Sequence, residues 1–417
     1  MRLFRPLRRA EIALLWGGQT LSALGDQLYG VALSWIAVEV LSADAGYLTA
    51  LRAAVMLLAA LGIGHWADRR APLRSMIGAD LARAAILLIV VALWSATGQP
   101  SILQLATAIL VLSLGEVVFE PALQSVLPAL VEDRSLLPAA NGLLDATERS
   151  ARLLGPGLVA LLAGVLPIMH FLTLDAASFA VSAAALLLIG RRRVLPAAPE
   201  ATGSGMLRGL RAIAGHPLLF FMLRATALLN GAWYAVFFLA VPLLIAERGI
   251  AGPGGSGLGA YGLVISAYGC TNLAATLVIG NRAPSARPQF QIFGGNLMLA
   301  AGMAVMALAA LLLPSSGVLA GLMAGAAIGA VGGPMQDIPR AVLWQTRLPV
   351  GDLPAAMRAY LVMSAGGMLL AMLIAPATCR LSGAASVIAG SAAIYLAVGT
   401  LGLVRHAGWR EIEPQAA

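Results

Sequence analysis

Apolar residues run along this chain in stretches longer than a soluble core requires, and polar residues gather in short clusters between them. Runs of about 20 residues, enough to cross ~30 Å of hydrocarbon at ~1.5 Å per residue, recur from end to end. Punctuated by Gly, Pro and charge, the pattern predicts spans over 12–41, 46–66, 74–96, 101–127, 138–165 and 168–190. A second set follows over 217–246, 257–280, 289–313, 316–346, 353–379 and 381–404. This is the pattern of an all-α membrane protein with twelve transmembrane helices. A β-barrel would show alternating segments of about ten residues instead.

The arginines orient these spans. One set of ends carries Arg2, Arg5, Arg8 and Arg9, then Arg69, Arg70 and Arg74, then Arg134, Arg191 to Arg193, Arg208, Arg211, Arg282, Arg287, Arg347, Arg405 and Arg410. The opposite loops hold Arg248 and Arg380. Positive charge marks the cytoplasmic side, so both termini are expected there. The longest interruption, "RRRVLPAAPEATGSGMLRGLRAIAGH" at 191–216, divides six spans from six. It implies an N-terminal bundle over 1–190, a cytoplasmic linker over 191–216 and a C-terminal bundle over 217–417. A weak echo supports duplication: "QSVLP" at 124–128 and "QTRLP" at 345–349 end the fourth span of each half, and "PAAN" and "PAAM" open the fifth.

Composition agrees and removes several function classes. The chain is 60% hydrophobic and 11% charged, with a mean hydropathy of +0.88. Soluble domains carry roughly a quarter charged residues. The net charge of +8 lies mostly in the cytoplasmic loops, so it gives no reason to expect a nucleic-acid partner. All 27 basic residues are arginine, which excludes lysine Schiff-base chemistry. Cys270 and Cys379 sit in separate apolar segments and imply no disulfide framework. The basic N-terminus leads into an apolar stretch too long for a signal peptide, which is expected to remain as the first span. No P-loop is present, and no His, Cys and acid cluster has metal-ligand spacing, so no ATP-driven pump, metal or cofactor is expected.

Charges inside lipid are costly and are functional candidates by default. Asp26, in "SALGDQLYG", is the deepest: about fourteen residues, or roughly 21 Å, from the cytoplasmic start of its helix. Protonated, its carboxyl can hydrogen-bond neutral neighbours; ionised, it attracts a cation. A fixed ion pair or helix-cap bond is the structural alternative. An intramembrane aspartyl protease would need G-x-G-D, but Ala23 holds the first Gly position and the chain contains no Tyr-Asp pair. Glu116 and Glu120 lie four apart on span 4, and span 5 answers with Asp145, Glu148, Arg149 and Arg152. Four acids against two arginines leave a carboxylate surplus, with Glu116 the candidate proton site and an ion-pair latch the alternative. Glu39 and Arg52 are expected to pair, as are Asp80 with Arg83 and Asp337 with Arg340. Asp175 is read as isolated and lining an outer cavity. Asn230, Trp233 and Tyr234 form a mid-depth cluster suited to a flat or amphiphilic solute, with plain aromatic packing as the alternative.

Particular motifs carry a family resemblance. "GHWADRRAPLR" at 64–74 resembles the loop between spans 2 and 3 of the major facilitator superfamily, G-x-L-A-D-R-x-G-R-R. Gly64, Ala67, Asp68 and Arg69 match; Trp66 and Ala71 depart from it, and Arg74 stands just beyond its basic pair. "ARLLGPGLVALLAG" at 151–164 resembles the Gly-Pro signature of antiporters in that superfamily, and "EPALQSVLPALVEDRSLLPAANGL" resembles its macrolide-efflux and enterobactin-exporter branch. The resemblance implies two pseudo-symmetric six-helix bundles, with Asp68, Arg69 and Arg74 closing the cytoplasmic side beside Gly64. Gly155 and Pro156 would bend or loosen the fifth span. It further implies a monomeric, proton-antiporting exporter of a drug-like or siderophore-like molecule in a bacterial inner membrane. Uptake of a siderophore or metabolite, or export of a divalent metal, are the alternatives.

Overall fold

A computed structural model describes residues 4–61, 72–131, 136–192, 206–281, 285, 287–349 and 352–409. The described chain is helical throughout. In the first half, α1 (Ala10–Leu41), α2 (Ala45–Ala60), α3 (Pro72–Thr97), α4 (Ile102–Leu130), α5 (Leu137–Leu162) and α6 (Met169–Arg192) follow one another. A short amphipathic helix, α7 (Met206–Ala214), precedes the second half. There α8 (Pro217–Ala235) and α9 (Val241–Glu247) make one span, α10 (Gly257–Gly280) and α11 (Pro288–Leu312) the next two. α12 (Ser315–Ala330) and α13 (Gly332–Arg347) share a span, and α14 (Leu353–Ser382) and α15 (Ala384–His406) complete the set.

Among the described residues, ten stretches are long and apolar enough to cross a membrane. One of them, Ala10–Ala60, contains both α1 and α2. α5 falls outside the ten because Asp145, Glu148, Arg149 and Arg152 crowd it. With these two adjustments the twelve expected spans are recovered.

Local chemistry sets the ends. Ser101 and Gln104 form a reciprocal capping box at the start of α4, with bonds of 2.9 and 3.3 Å. Gly383, at φ +82, turns α14 into α15 through a conformation that side chains resist. Between α8 and α9, Val236–Ala240 widens into a π-turn. Pro242 explains it: its ring has no N–H for the Phe238 carbonyl and would clash with it in a regular helix.

The chain forms two compact units. One holds α1 to α6 together with Pro253–Gly262; the other holds α7 to α9, the rest of α10, and α11 to α15. Pro253–Gly262 groups with the first unit because Gly254 meets the Gly164 backbone and Gly257 the Trp35 ring. The pairings inside the two units correspond. α1 packs on α5 and α6, and α3 on α4 and α6; likewise α8 packs on α14 and α15, and α11 on α12 and α15. That recurrence is the structural form of the duplication hinted at by the Q-x-x-L-P echo. Each unit has its own apolar core, centred on Leu15, Met76, Val126 and Ile189 in the first and on Leu219, Phe293, Leu343 and Ala356 in the second. α7 belongs to the second core through Ile213, and Gly209 lets it lie against the Ala355–Ala356 backbone.

Candidate functional site

The charged residues of the first unit converge on one region. α1 carries Asp26 at its midpoint, on a side chain that is exposed on the helix surface. Arg83 of α3, Glu116 of α4, Arg52 of α2 and Asp80 of α3 all act on it electrostatically. Its charged neighbours thus come from three helices, α2, α3 and α4. Beside it Arg52 Nη2 lies 3.2 Å from Glu116 Oε2, both side chains about half exposed. Arg52, expected to pair with Glu39, reaches Glu116 of the facing helix.

Near these groups lies a buried ion pair. Asp80 and Arg83 are 3.7 Å apart, with side-chain exposures of 0% and 7%. Arg83 is held between the rings of Phe119 and Phe179, each 5.0 Å from its guanidinium carbon. Gly115 makes this possible, since a methyl group there would strike the Arg83 side chain. Neither oxygen of Asp80 holds a well-formed hydrogen bond; nor do Nε and Nη2 of Arg83. Sequence spacing named the Asp80–Arg83 pair but gave no sign of the two rings.

Asp175 corrects the sequence reading. It lines no outer cavity and is not isolated: it is fully buried where α6 packs on α1. Ser178 donates to its backbone carbonyl at 2.8 Å and to its Oδ1 at 3.2 Å. Gly25 supplies the room, for a methyl group there would come within 2.5 Å of both Asp175 Oδ1 and Ser178 Oγ. The "GD" pair at 25–26 thus has two roles, a notch for one carboxyl and the scaffold for another. Asp175 and Asp26 lie close enough to act on each other.

Toward the end of the same face Glu120 feels Glu148 and Glu116. Arg152 pairs with Glu148 inside α5 itself. The side chain of Arg149, and the whole of Gly64, Asp68 and Arg69, lie outside the described residues. Arg74 is exposed at the start of α3. α5 runs unbroken through Pro156, and Gly155 admits the Gln27 side chain of α1 next to Asp26.

The second unit offers aromatic surface in place of acid. Trp233 and Tyr234 are half-buried, and their ring centroids lie 5.1 Å apart. Phe237, Phe238 and Tyr268 extend the cluster, with Tyr268 4.9 Å from Phe237. The π-turn puts Phe237 and Phe238 into this group, and Pro242 is the one sequence signal for it. Asn230 donates to Ser364 Oγ on α14, so it fastens two helices.

Among proteins of known character, the family model of the Major Facilitator Superfamily matches residues 15–309. No curated protein matches the sequence. Solved structures share the fold. An auto-inhibited POT family peptide transporter superposes with a TM-score of 0.73 at 12% identity, covering 98% of this chain and 99% of the other. A nucleoside transporter gives 0.66 at 13%, covering 94% and 99%. A bacterial homologue of the human lysosomal transporter Spinster, inward-facing and unoccupied, gives 0.63 at 13%, covering 97% and 96%.

Proposed function

The chain belongs to the Major Facilitator Superfamily and is a multi-pass membrane transporter, and from that premise we propose a secondary active exporter of a small organic molecule, driven by proton antiport. The observation that carries the reading is the position of Asp26: a carboxyl at mid-helix with Arg52, Glu116 and Arg83 acting on it. Such a group can take up a proton or hold a cationic solute, and alternation between the two couples one flux to the other. Glu116 and Glu120 extend the acidic face, and Arg152 with Arg149 offsets part of its charge. The Trp233 and Tyr234 rings offer stacking surface to a flat, drug-like or siderophore-like solute. Asp68, Arg69 and Arg74, with Gly64, would latch the cytoplasmic side, and Gly155 with Pro156 would serve helix rearrangement. The protein works as a monomer in a bacterial inner membrane with both termini cytoplasmic, and makes or breaks no covalent bond. Among the described residues no three His, Cys, Asp or Glu side chains are placed to hold a metal ion, so the metal-export reading has no support there.

Everted vesicles test direction and coupling together, with a panel of aromatic cations and catecholate siderophores as probes. Accumulation that needs a proton gradient is the expected result. Accumulation confined to right-side-out vesicles would mean uptake. Asp26→Asn should abolish uphill accumulation while leaving counterflow exchange intact. Undiminished uphill transport by that variant would remove Asp26 from the mechanism.

A further inference from the structure

Three helices of the second unit leave a small, partly open cavity among them, about 20 Å³ in volume, with both apolar and polar side chains in its walls. α8 lines it with Met222 and Thr226, α11 with Phe293 and Asn296, and α13 with Gln336 and Arg340. Asn296 is 1% exposed, and its Oδ1 has no protein partner. Thr226 donates its hydroxyl to the Met222 carbonyl at 2.9 Å, which leaves its oxygen able only to accept. Arg340 gives one Nη2 to Asp337 at 2.8 Å and lays its guanidinium over Tyr360 at 4.8 Å. The walls therefore hold acceptors on two helices and donors on the third, with a buried amide oxygen unmatched between them. Native structures rarely leave such a group unpaired.

We propose that this cavity is a built site for one ordered water molecule joining α8, α11 and α13. The size suits a single water. The chemistry selects water over an ion. A metal cation would face the Arg340 guanidinium, and a halide has no proton to offer Asn296 Oδ1. Water donates to Asn296 and Thr226 and accepts from Arg340 or Gln336. The bridge gives α13, which starts anew after the break at Val331, a hold on its neighbours that solvent can exchange. This inference is independent of the transported solute and of the direction of transport.

Radiolytic hydroxyl-radical labelling of the purified full chain in nanodiscs tests it, because bound water generates the radical in place. Met222 is 5% exposed but should be oxidised, whereas Met306 and Met372, both fully buried in the same unit, should not. Asn296→Leu fills the space and removes the acceptor, so Met222 labelling should fall to the level of Met306. Thr226→Val, a smaller change, should lower it in part. Met222 as silent as Met306 in the native chain would overturn the proposal, and this is also the result a monatomic anion would give. Labelling unchanged by Asn296→Leu would overturn it too, because solvent would then be reaching Met222 by general fluctuation.

Discussion

The same short motif, Asp-x-x-Arg, stands in both halves of the molecule and meets opposite surroundings. In the first unit Asp80 and Arg83 are sealed, 3.7 Å apart, with the guanidinium between two phenyl rings. In the second, Asp337 and Arg340 lie 2.8 Å apart with side-chain exposures of 56% and 23%, and the arginine rests on one tyrosine ring. The better geometry thus belongs to the wetter pair. A pair chosen only for stability would be closer and fully hydrogen-bonded, since burial of two charges is repaid only under those conditions. The sealed pair is better understood as a fixed charge beneath the acidic face, acting on Asp26, Asp175 and Glu120. The second unit, with Trp233, Tyr234 and Tyr268, supplies surface for contact rather than charge.

Arg83→Met should have the largest effect. It leaves Asp80 buried and without its cation, at a cost of about 3–5 kcal/mol. Adding Asp80→Asn should recover much of that loss, because the orphaned charge is gone. Thermal unfolding in detergent measures both. If Arg83→Met unfolds like the native chain, the two pairs do not differ in the way described. Next comes Gly115→Ala, whose new methyl group meets the Arg83 side chain and should cost about 1–3 kcal/mol by overpacking. In the second unit a methyl group at Gly366 of α14, by contrast, meets no atom within 4 Å. Gly366→Ala should be neutral or stabilise by roughly 0.5–1 kcal/mol, the helix preference for alanine. Arg340→Met should follow at about 0–1 kcal/mol, as for pairs that water screens. A loss from Arg340→Met as large as that from Arg83→Met would erase the contrast between the halves.

The fold was largely legible because membrane spans are written as long apolar runs, and orientation as arginine asymmetry. Even α5, with four charges, was found through the alternation of loops on either side of it. What could not be read was angular. Depth along a helix gave Arg52 the acid at Glu39, whereas the packing of α2 on α4 brings it Glu116. Depth likewise set Asp175 in open water, whereas the face it presents lies against the Gly25 notch. Ser178, three residues on, was the available hint, since i,i+3 neighbours share a helix face. The rings around Arg83 come from Phe119 on α4 and Phe179 on α6, and no local spacing joins residues so far apart in sequence.

The smallest expected effect bears on the acidic face itself. Glu148 and Arg152 stand at i,i+4 spacing, and their bond runs within α5 with both side chains more than half exposed. A pair inside one helix cannot hold two helices together. Exposed i,i+4 pairs contribute about 0.3–0.5 kcal/mol, so Glu148→Gln should shift stability by no more than that. It does remove one negative charge near Glu120. If the first unit works as an electrostatic surface, Glu148→Gln should weaken proton-driven accumulation slightly, and Glu116→Gln, closer to Asp26, should weaken it more. Equal effects from the two substitutions would mean that proximity to Asp26 is irrelevant, and the acidic face would then be a solvated surface with no part in coupling.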